Sequence, residues 1–419
     1  MCGPAEFRPE RHRPSIGEVD DVLASILVRL PLKALLRCKL VCRRWRHLVS
    51  DPVFVSGYSR RHARLRSSGF YLQRFLFYRL YSSLKFVSCD PPEEAPTGGP
   101  SPCSGADHSL ANLIEDENGV FVRHSCNGLL LCSSFRCHED DRIYYICTPP
   151  TRQFLPLPSP DCRTVFGINV AFDPAKALYR LVCVADSEVS ARHRQILVCS
   201  SHFGGWRKSG KPFPVSDELL FNRGVFWNGG LHWIGRGRSS LRFHVKDEVL
   251  MEMAMPPVRE GWSERKLGYF GESGGHLYLV EIYGSSTTAF DVMEMARDYS
   301  GWFVKYHVDL EAVARDLARS LQRNVHIVAA YSFSVLHIVH RQVGEKEECF
   351  MVLRIPSKFV LYDLKKNTAM DIGDSMPQLK SIEREDGLKP PKTWIVKAWV
   401  LPEEDAPELY VKWANDWWT

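Results

Sequence analysis

No stretch of this sequence approaches the roughly 20 consecutive apolar residues that a membrane-crossing helix requires. The opening, MCGPAEFRPERHRPS, has no apolar core of signal-peptide length, and no Asn-x-Ser/Thr sequon occurs anywhere. Complete internal disulfide pairing is excluded too, because the 13 cysteines are an odd number. Together these absences point to a reducing cytoplasmic or nuclear setting in which thiols stay free. Cys183, Cys199 and Cys349 lie inside apolar runs and read as small hydrophobes. No membrane partner is expected.

Charge of one sign is also scarce. Lys and Arg total 54 against 49 Asp and Glu, a formal +5 over 419 residues. Nucleic-acid binding usually needs a stronger or more clustered excess, so it is not expected here. The one basic run, Arg60, Arg61, Arg64 and Arg66, reads as a solvated helix face or linker. No Ser/His/Asp or paired-carboxylate constellation stands out, which disfavours a hydrolase, although triads are defined in space. Gly205 to Pro212 is nearly a phosphate-binding loop, but Pro212 stands where a magnesium-binding Ser or Thr is needed, and strands flank it. Cys126, Cys132, Cys137 and His138 lack zinc-knuckle spacing and read as core or loop thiols. His337 and His340, three apart on an expected strand, point to opposite faces and cannot share a metal. No metal and no cofactor are expected.

What is present falls into two parts. Residues 1–14 are rich in Pro, Arg and Glu and read as a disordered tail. Ser15-Ile16-Gly17-Glu18 fits a capping box, so a helix should begin there. Val19, Val22, Leu23, Ile26, Leu27 and Leu30 then recur at helical spacing until Pro31 stops the helix. A second helical pattern runs through Leu35, Leu36, Cys38, Val41, Cys42, Trp45, Leu48 and Val49 and ends at Asp51-Pro52. Residues 56–68 read as a linker.

From about residue 69 the period changes from helical to β. Many short β-branched and aromatic segments follow, punctuated by Gly, Asn, Asp or Pro: NGLLLC, RIYYIC, INVAFD, LYRLVCVA, RQILVCSS, GVFWNGGLHWIG, GGHLYLVEIYG, CFMVLRI and FVLYDL among them. Two features interrupt the pattern. Residues 89–108 form a Pro/Gly/Ser-rich insert that reads as a disordered loop, and 309–324, DLEAVARDLARSLQRN, reads as a helical insertion. Trp-containing turns (SSHFGGWRKS, RDYSGWFVKY) and glycine-rich hairpins (GVFWNGGLHWI, ESGGHLYLV) recur. They suggest a four-stranded unit of roughly 45 residues, the scale of a propeller blade, and hence about six or seven blades. The fold expected is a small helical module followed by a large all-β domain, a β-propeller.

The segment from Val22 to Phe54 closely resembles an F-box. Val22-Leu23, Ile26-Leu27, Arg29-Leu30-Pro31, Leu35-Leu36-Arg37-Cys38, Val41-Cys42-Arg43-Arg44-Trp45 and Asp51-Pro52-Val53-Phe54 carry the likeness, while Glu18-Val19 replace the usual opening Leu-Pro. Residues 15–55 would form that domain. The remainder, 69–419, resembles plant-type F-box-associated domains through Ser125-Cys126-Asn127-Gly128-Leu129-Leu130-Leu131 and Tyr145 to Pro158, with Thr148 where Asn is usual. The resemblance implies a non-catalytic subunit that docks on a Skp-type adaptor, and through it on a cullin–RING ubiquitin ligase, while capturing a target. It carries adaptor contact to Leu23, Ile26, Leu27, Leu30, Pro31, Leu35, Cys38, Val41, Cys42 and Trp45. Target contact is expected on propeller loops, first at Trp206, Asn228 and Tyr283. The competing readings are a propeller enzyme, such as a glycan hydrolase or oxidase, and an F-box scaffold that does not promote degradation.

Overall fold

The computed structural model describes residues 16–30, 35, 37–51, 53–54, 58, 67–76, 81–88, 120–134, 142–148, 153–173, 178–201, 204–215, 219–284, 287–320, 333–343, 346–355, 358–374 and 397–402. The expected tail 1–14, Pro31, most of the linker, the 89–108 insert and 321–324 lie outside the described residues. The chain divides into a helical unit within Met1–Ala63 and a β unit of Arg64–Asp173 and Ala177–Glu404.

In the helical unit, α1 spans Ile16–Leu27 and α2 spans Arg43–Ser50. The expected second helix is split. Leu35, Arg37 and Cys38 are helical, then the chain turns at 39–41. Cys42 is extended (φ −161°, ψ 168°) and caps α2, its Sγ accepting from the Trp45 N–H at 3.5 Å. Asp51 ends α2, and its Oδ1 then accepts from the N–H groups of Val53 (2.8 Å) and Phe54 (3.3 Å). Aspartate at that place therefore caps the next helical turn and sets Phe54 into the core. That core is Leu27, Leu35, Val49, Phe54 and Tyr58. The Tyr58 hydroxyl also donates to the Leu30 carbonyl, 2.9 Å.

The β unit is a propeller of five four-stranded antiparallel blades. They are β3–β6 (Val120–Cys126, Leu129–Ser134, Tyr144–Thr148, Gln153–Leu157), β7–β10 (Val165–Asp173, Leu178–Asp186, His193–Ser200, Trp206–Pro214), β11–β14 (Val225–Trp227, Gly230–Ile234, Ser240–His244, Val249–Glu252), β15–β18 (Leu267–Ser273, His276–Glu281, Ala289–Met295, Trp302–Asp309) and β19–β22 (Ser334–Val343, Lys346–Arg354, Lys358–Asp363, Thr368–Asp374). In each blade the strands pair in chain order. The first strands pack on one another in sequence, β3 on β7, β7 on β11, β11 on β15 and β15 on β19. A sixth, three-stranded sheet has the order β2-β1-β23, with β1 Ser67–Leu76, β2 Tyr81–Ser88 and β23 Lys397–Pro402. Strand β23 touches both β19 and β3, so this sheet closes the ring. The expectation of six or seven complete blades is thus corrected to five, plus a sheet assembled from distant parts of the chain.

Sequence pattern explains each strand's place. The runs NGLLLC, LYRLVCVA, GGLHWIG and HLYLVE supply second strands, sandwiched between neighbouring blades and buried along almost their whole length. The fourth strand β10, Trp206–Pro214, is a mostly exposed edge and correspondingly rich in polar and charged residues. First-to-second turns need a left-handed backbone. Asn127-Gly128 (φ 47° and 83°) and Asn228-Gly229 (φ 47° and 76°) provide it, the chemistry of a tight hairpin whose twist matches its strands. The helical insertion is present as α3, Glu311–Ser320, with Leu310 and Val313 packed on the core between the last two blades.

Six cysteines, Cys126, Cys132, Cys147, Cys183, Cys199 and Cys349, are buried in strands or cores. Burial pushes the Cys126 thiol up to about 12 and that of Cys349 to about 11, which leaves them inert as nucleophiles. Two buried histidines, His232 and His337, should make the propeller acid-sensitive. Burial pulls the pKa of His337 down to about 3 and, with Arg242 adding a smaller push, that of His232 to about 4. Unfolded histidine titrates near 6.5, so the unfolded chain binds more protons between pH 6.5 and 4. The stability these neutral rings contribute is complete above pH 6.5 and declines as pH falls. Lowering the pH from 7 to 5 should cost about 2 kcal/mol per histidine, read from urea unfolding. His232→Gln with His337→Gln should flatten that slope; an unchanged slope would assign the acid sensitivity elsewhere.

Candidate functional site

Eleven large apolar side chains are exposed among the described residues, and five of them lie between positions 22 and 53: Val22, Ile26, Leu40, Val41 and Val53. Exposed singly such residues mean little, but concentrated on so small a unit they are a candidate contact surface. Val22 and Ile26 are one turn apart on α1 and share its outer face. Leu40 and Val41, 79% and 62% exposed, stand on the turn before α2. An Arg44–Asp20 ion pair at 2.7 Å ties the start of α2 to the part of α1 that carries Val22.

The structure sorts nine of the ten expected adaptor contacts into two sets, Pro31 lying outside the described residues. Leu27 and Leu35 are buried in the unit's own core, and Leu23, Leu30, Cys38 and Trp45 pack partly buried against it. Ile26, Val41 and Cys42 are exposed. Cys42 also serves as the cap of α2. Sequence reasoning left Val22, Leu40 and Val53 out of the contact set, using Val22 and Val53 as motif residues. Their signal was an apolar residue off the buried stripe, which periodicity alone does not separate from the stripe.

The three expected target contacts are not brought together. Trp206 opens the fourth strand of the second blade, and its Nε1 donates to the Pro158 carbonyl (2.7 Å) just after the fourth strand of the first. Trp302 holds the equivalent place two blades on, donating to the Ala254 carbonyl at 2.9 Å. The recurrent Trp turn is therefore a blade-to-blade clamp. Asn228 is exposed in its hairpin turn and donates to the Arg297 carbonyl in the next blade, 3.1 Å. Tyr283 lies on the opposite face, in the turn between the second and third strands of its blade. It is buried, with its hydroxyl donating to Glu281 at 2.7 Å; burial first, then that carboxylate, raises its pKa.

A family model described as F-box-like matches residues 20–56, and one described as F-box associated beta propeller domain matches 79–272. The Arabidopsis thaliana F-box protein At5g07610 is 30% identical over 385 residues, covering 86% of each chain. This chain belongs to the F-box protein family. A second Arabidopsis relative, F-box protein At5g49610, is 27% identical over 289 residues, covering 63% of this chain and 71% of its own. Among solved structures, TolB from Acinetobacter baumannii aligns at 8% identity and a TM-score of 0.41, covering 85% of this chain and 73% of that one, too distant to bear on fold or function.

F-box proteins are generally adaptors rather than catalysts, and the titratable groups of this F-box protein suit a structural part. Among the described residues one group, His276, His340 and Glu347, brings possible metal-ligand atoms within 4.8 Å. The two imidazoles stack nearly parallel (centroids 4.6 Å, 5°), so their in-plane lone pairs do not converge on one ion. Their ring nitrogens are already engaged: His276 Nδ1 with Glu294 at 2.6 Å, His340 Nε2 with Glu347 of the same group at 2.9 Å, and His340 Nδ1 with the Tyr278 hydroxyl at 3.0 Å. His337 instead meets the Tyr269 hydroxyl, 3.1 Å. Of the loosely spaced Cys and His noted in the sequence, Cys126 and Cys132 are buried in strands β3 and β4, and the other two lie outside the described residues.

Proposed function

We propose that this F-box protein is the substrate-recognition subunit of an SCF-type E3 ubiquitin ligase. Its helical unit binds a Skp-type adaptor, and through it a cullin–RING assembly, while the propeller binds a target protein. The observation that carries the reading is the exposed apolar set Val22, Ile26, Leu40, Val41 and Val53 on a unit whose core is already filled by other residues. Left in water, that surface costs free energy; covered by an adaptor, it supplies binding energy. The chemistry of ubiquitin transfer then belongs to the partners, and this chain contributes position, holding the target at high effective concentration. The setting is the cytoplasm or nucleus, consistent with the absence, among the described residues, of any helix long and apolar enough to cross a membrane.

Affinity purification of the full chain beside a form lacking residues 15–55 tests this. The full chain should recover a Skp-type adaptor and the shortened one should not. Equal recovery by both would remove the proposal. Slower turnover of a recovered target when the proteasome is blocked separates a receptor from a scaffold.

A further inference from the structure

One face of the propeller carries a cavity with a basic lining where the first strands of three blades begin. The segments entering β11, β15 and β19, together with the turns after β12 and β16, enclose a cavity of about 510 Å³. Its charged lining is uneven. Arg223, at the end of a 3₁₀ turn (Phe221–Arg223), Arg236, just after β12, and Lys266, just before β15, are exposed; Glu264 is the single exposed carboxylate among the lining residues. None of the three cations has a carboxylate partner among the described residues. The floor between them is apolar, with Ile282 and Val335.

Arg265 also lines the cavity, but its charge is already spent. It is buried, and its guanidinium donates to Glu281 (2.5 Å), to the Gly237 carbonyl (2.8 Å) and to the Pro256 carbonyl. Its own N–H donates to the Arg236 carbonyl at 2.6 Å, and the Lys266 carbonyl accepts from Ile282 at 2.9 Å. Both flanking cations thus stand on backbone fixed before any ligand arrives, which lowers the ordering cost of binding.

We propose that this basic mouth binds an acidic peptide segment of the target, its carboxylates or phosphates meeting Arg223, Arg236 and Lys266 and its apolar side chains meeting the floor. The proposal rests on reading the propeller as the target-binding domain. Three cations against the single exposed carboxylate of Glu264 favour anions. A nucleic acid fits less well. It needs a basic stripe that follows successive phosphates, whereas these cations ring one cavity on a protein of nearly balanced charge.

The test uses the full chain with its adaptor and fluorescence anisotropy of labelled hexaglutamate, a doubly phosphorylated serine peptide, hexaglutamine and a uridine hexanucleotide. One or both anionic peptides should bind and hexaglutamine should not. Arg223→Ala, Arg236→Ala and Lys266→Ala together should weaken binding at least tenfold, and Glu264→Gln should strengthen it two- to threefold. Lys211→Ala with Lys246→Ala, elsewhere on the propeller, should change nothing. Should the triple variant lose its melting transition, the exposed pair Arg223→Gln and Lys266→Gln is read in its place. Whichever peptide binds tighter tells whether targets offer carboxylates or phosphates. Undiminished peptide binding by the triple or paired variant overturns the proposal, as does binding of the uridine hexanucleotide at least as tight through the same residues. Adaptor recovery is measured on the same samples, so loss of peptide binding with the adaptor retained concerns this mouth alone.

Discussion

Ile26→Asp combined with Val41→Asp should abolish adaptor binding, by at least a hundredfold, while leaving the helical unit folded. Both side chains are more than half exposed, 54% and 62%, so in the free protein each new carboxylate stays in water and costs little. In a dry apolar contact each would be stripped of water without a partner, which costs several kcal/mol. Leu27→Asp is the necessary contrast. That residue is 1% exposed, and the same charge there should destroy the fold of the unit, visible as lost helical circular dichroism. Binding by isothermal titration together with thermal melts separates the two. An exposed-site double variant that keeps its adaptor affinity would move the contact surface away from these positions.

Arg265→Met should destabilise the propeller by about 3–5 kcal/mol, since it leaves the Glu281 carboxylate buried beside only the Tyr283 hydroxyl. Glu281→Leu alone should cost a similar amount by stranding the guanidinium. The double variant should recover much of either loss, because neither charge then remains buried and unpaired. It should not recover all of it, because the Gly237 and Pro256 carbonyls lose their donor. Urea unfolding across the four proteins yields the coupling energy directly. Strictly additive losses would show that the pair does not act as a unit. Because the Arg265 Nε also holds the Gly237 carbonyl, next to Arg236, its loss should blur the basic mouth as well.

The F-box motif was legible because its residues do local work that sequence displays. Cys42 caps a helix, Asp51 caps the following turn, and Phe54 fills the core that turn creates. Which apolar residues face outward was not legible. Leu27 and Ile26 are neighbours in sequence and equally hydrophobic, and only the packing of Leu35, Val49 and Tyr58 decides that one is inside. The strands were legible from period and hairpin chemistry, with Asn228-Gly229 an instance. The blade count was not, because the closing sheet joins segments more than 300 residues apart and carries no local sign of that pairing. Trp206 and Trp302 were seen as a repeat, but their clamp to the preceding blade depends on carbonyls 48 positions upstream in each case. Arg223, Arg236 and Lys266 are scattered in sequence and meet only because the segment entering the third blade, the turn after its second strand and the segment entering the fourth blade lie at one place.

The closing sheet also dictates an order of events during synthesis. Strand β1 pairs with β23 in antiparallel register, Tyr71 opposite Trp399 and Phe70 opposite Val400. Blades built from consecutive strands can form as each leaves the ribosome, since their contacts are local. The ring cannot close until Lys397–Pro402 has emerged, and that closure must overcome the entropy of the longest loop in the propeller. Until then β1 exposes an unpaired strand edge, the feature most prone to pairing with another chain. The apolar core of the helical unit, which lies between Leu23 and Tyr58, has emerged long before. A nascent chain therefore presents its apolar helical face while the propeller is still open, so both adhesive surfaces are exposed at once until Lys397–Pro402 arrives.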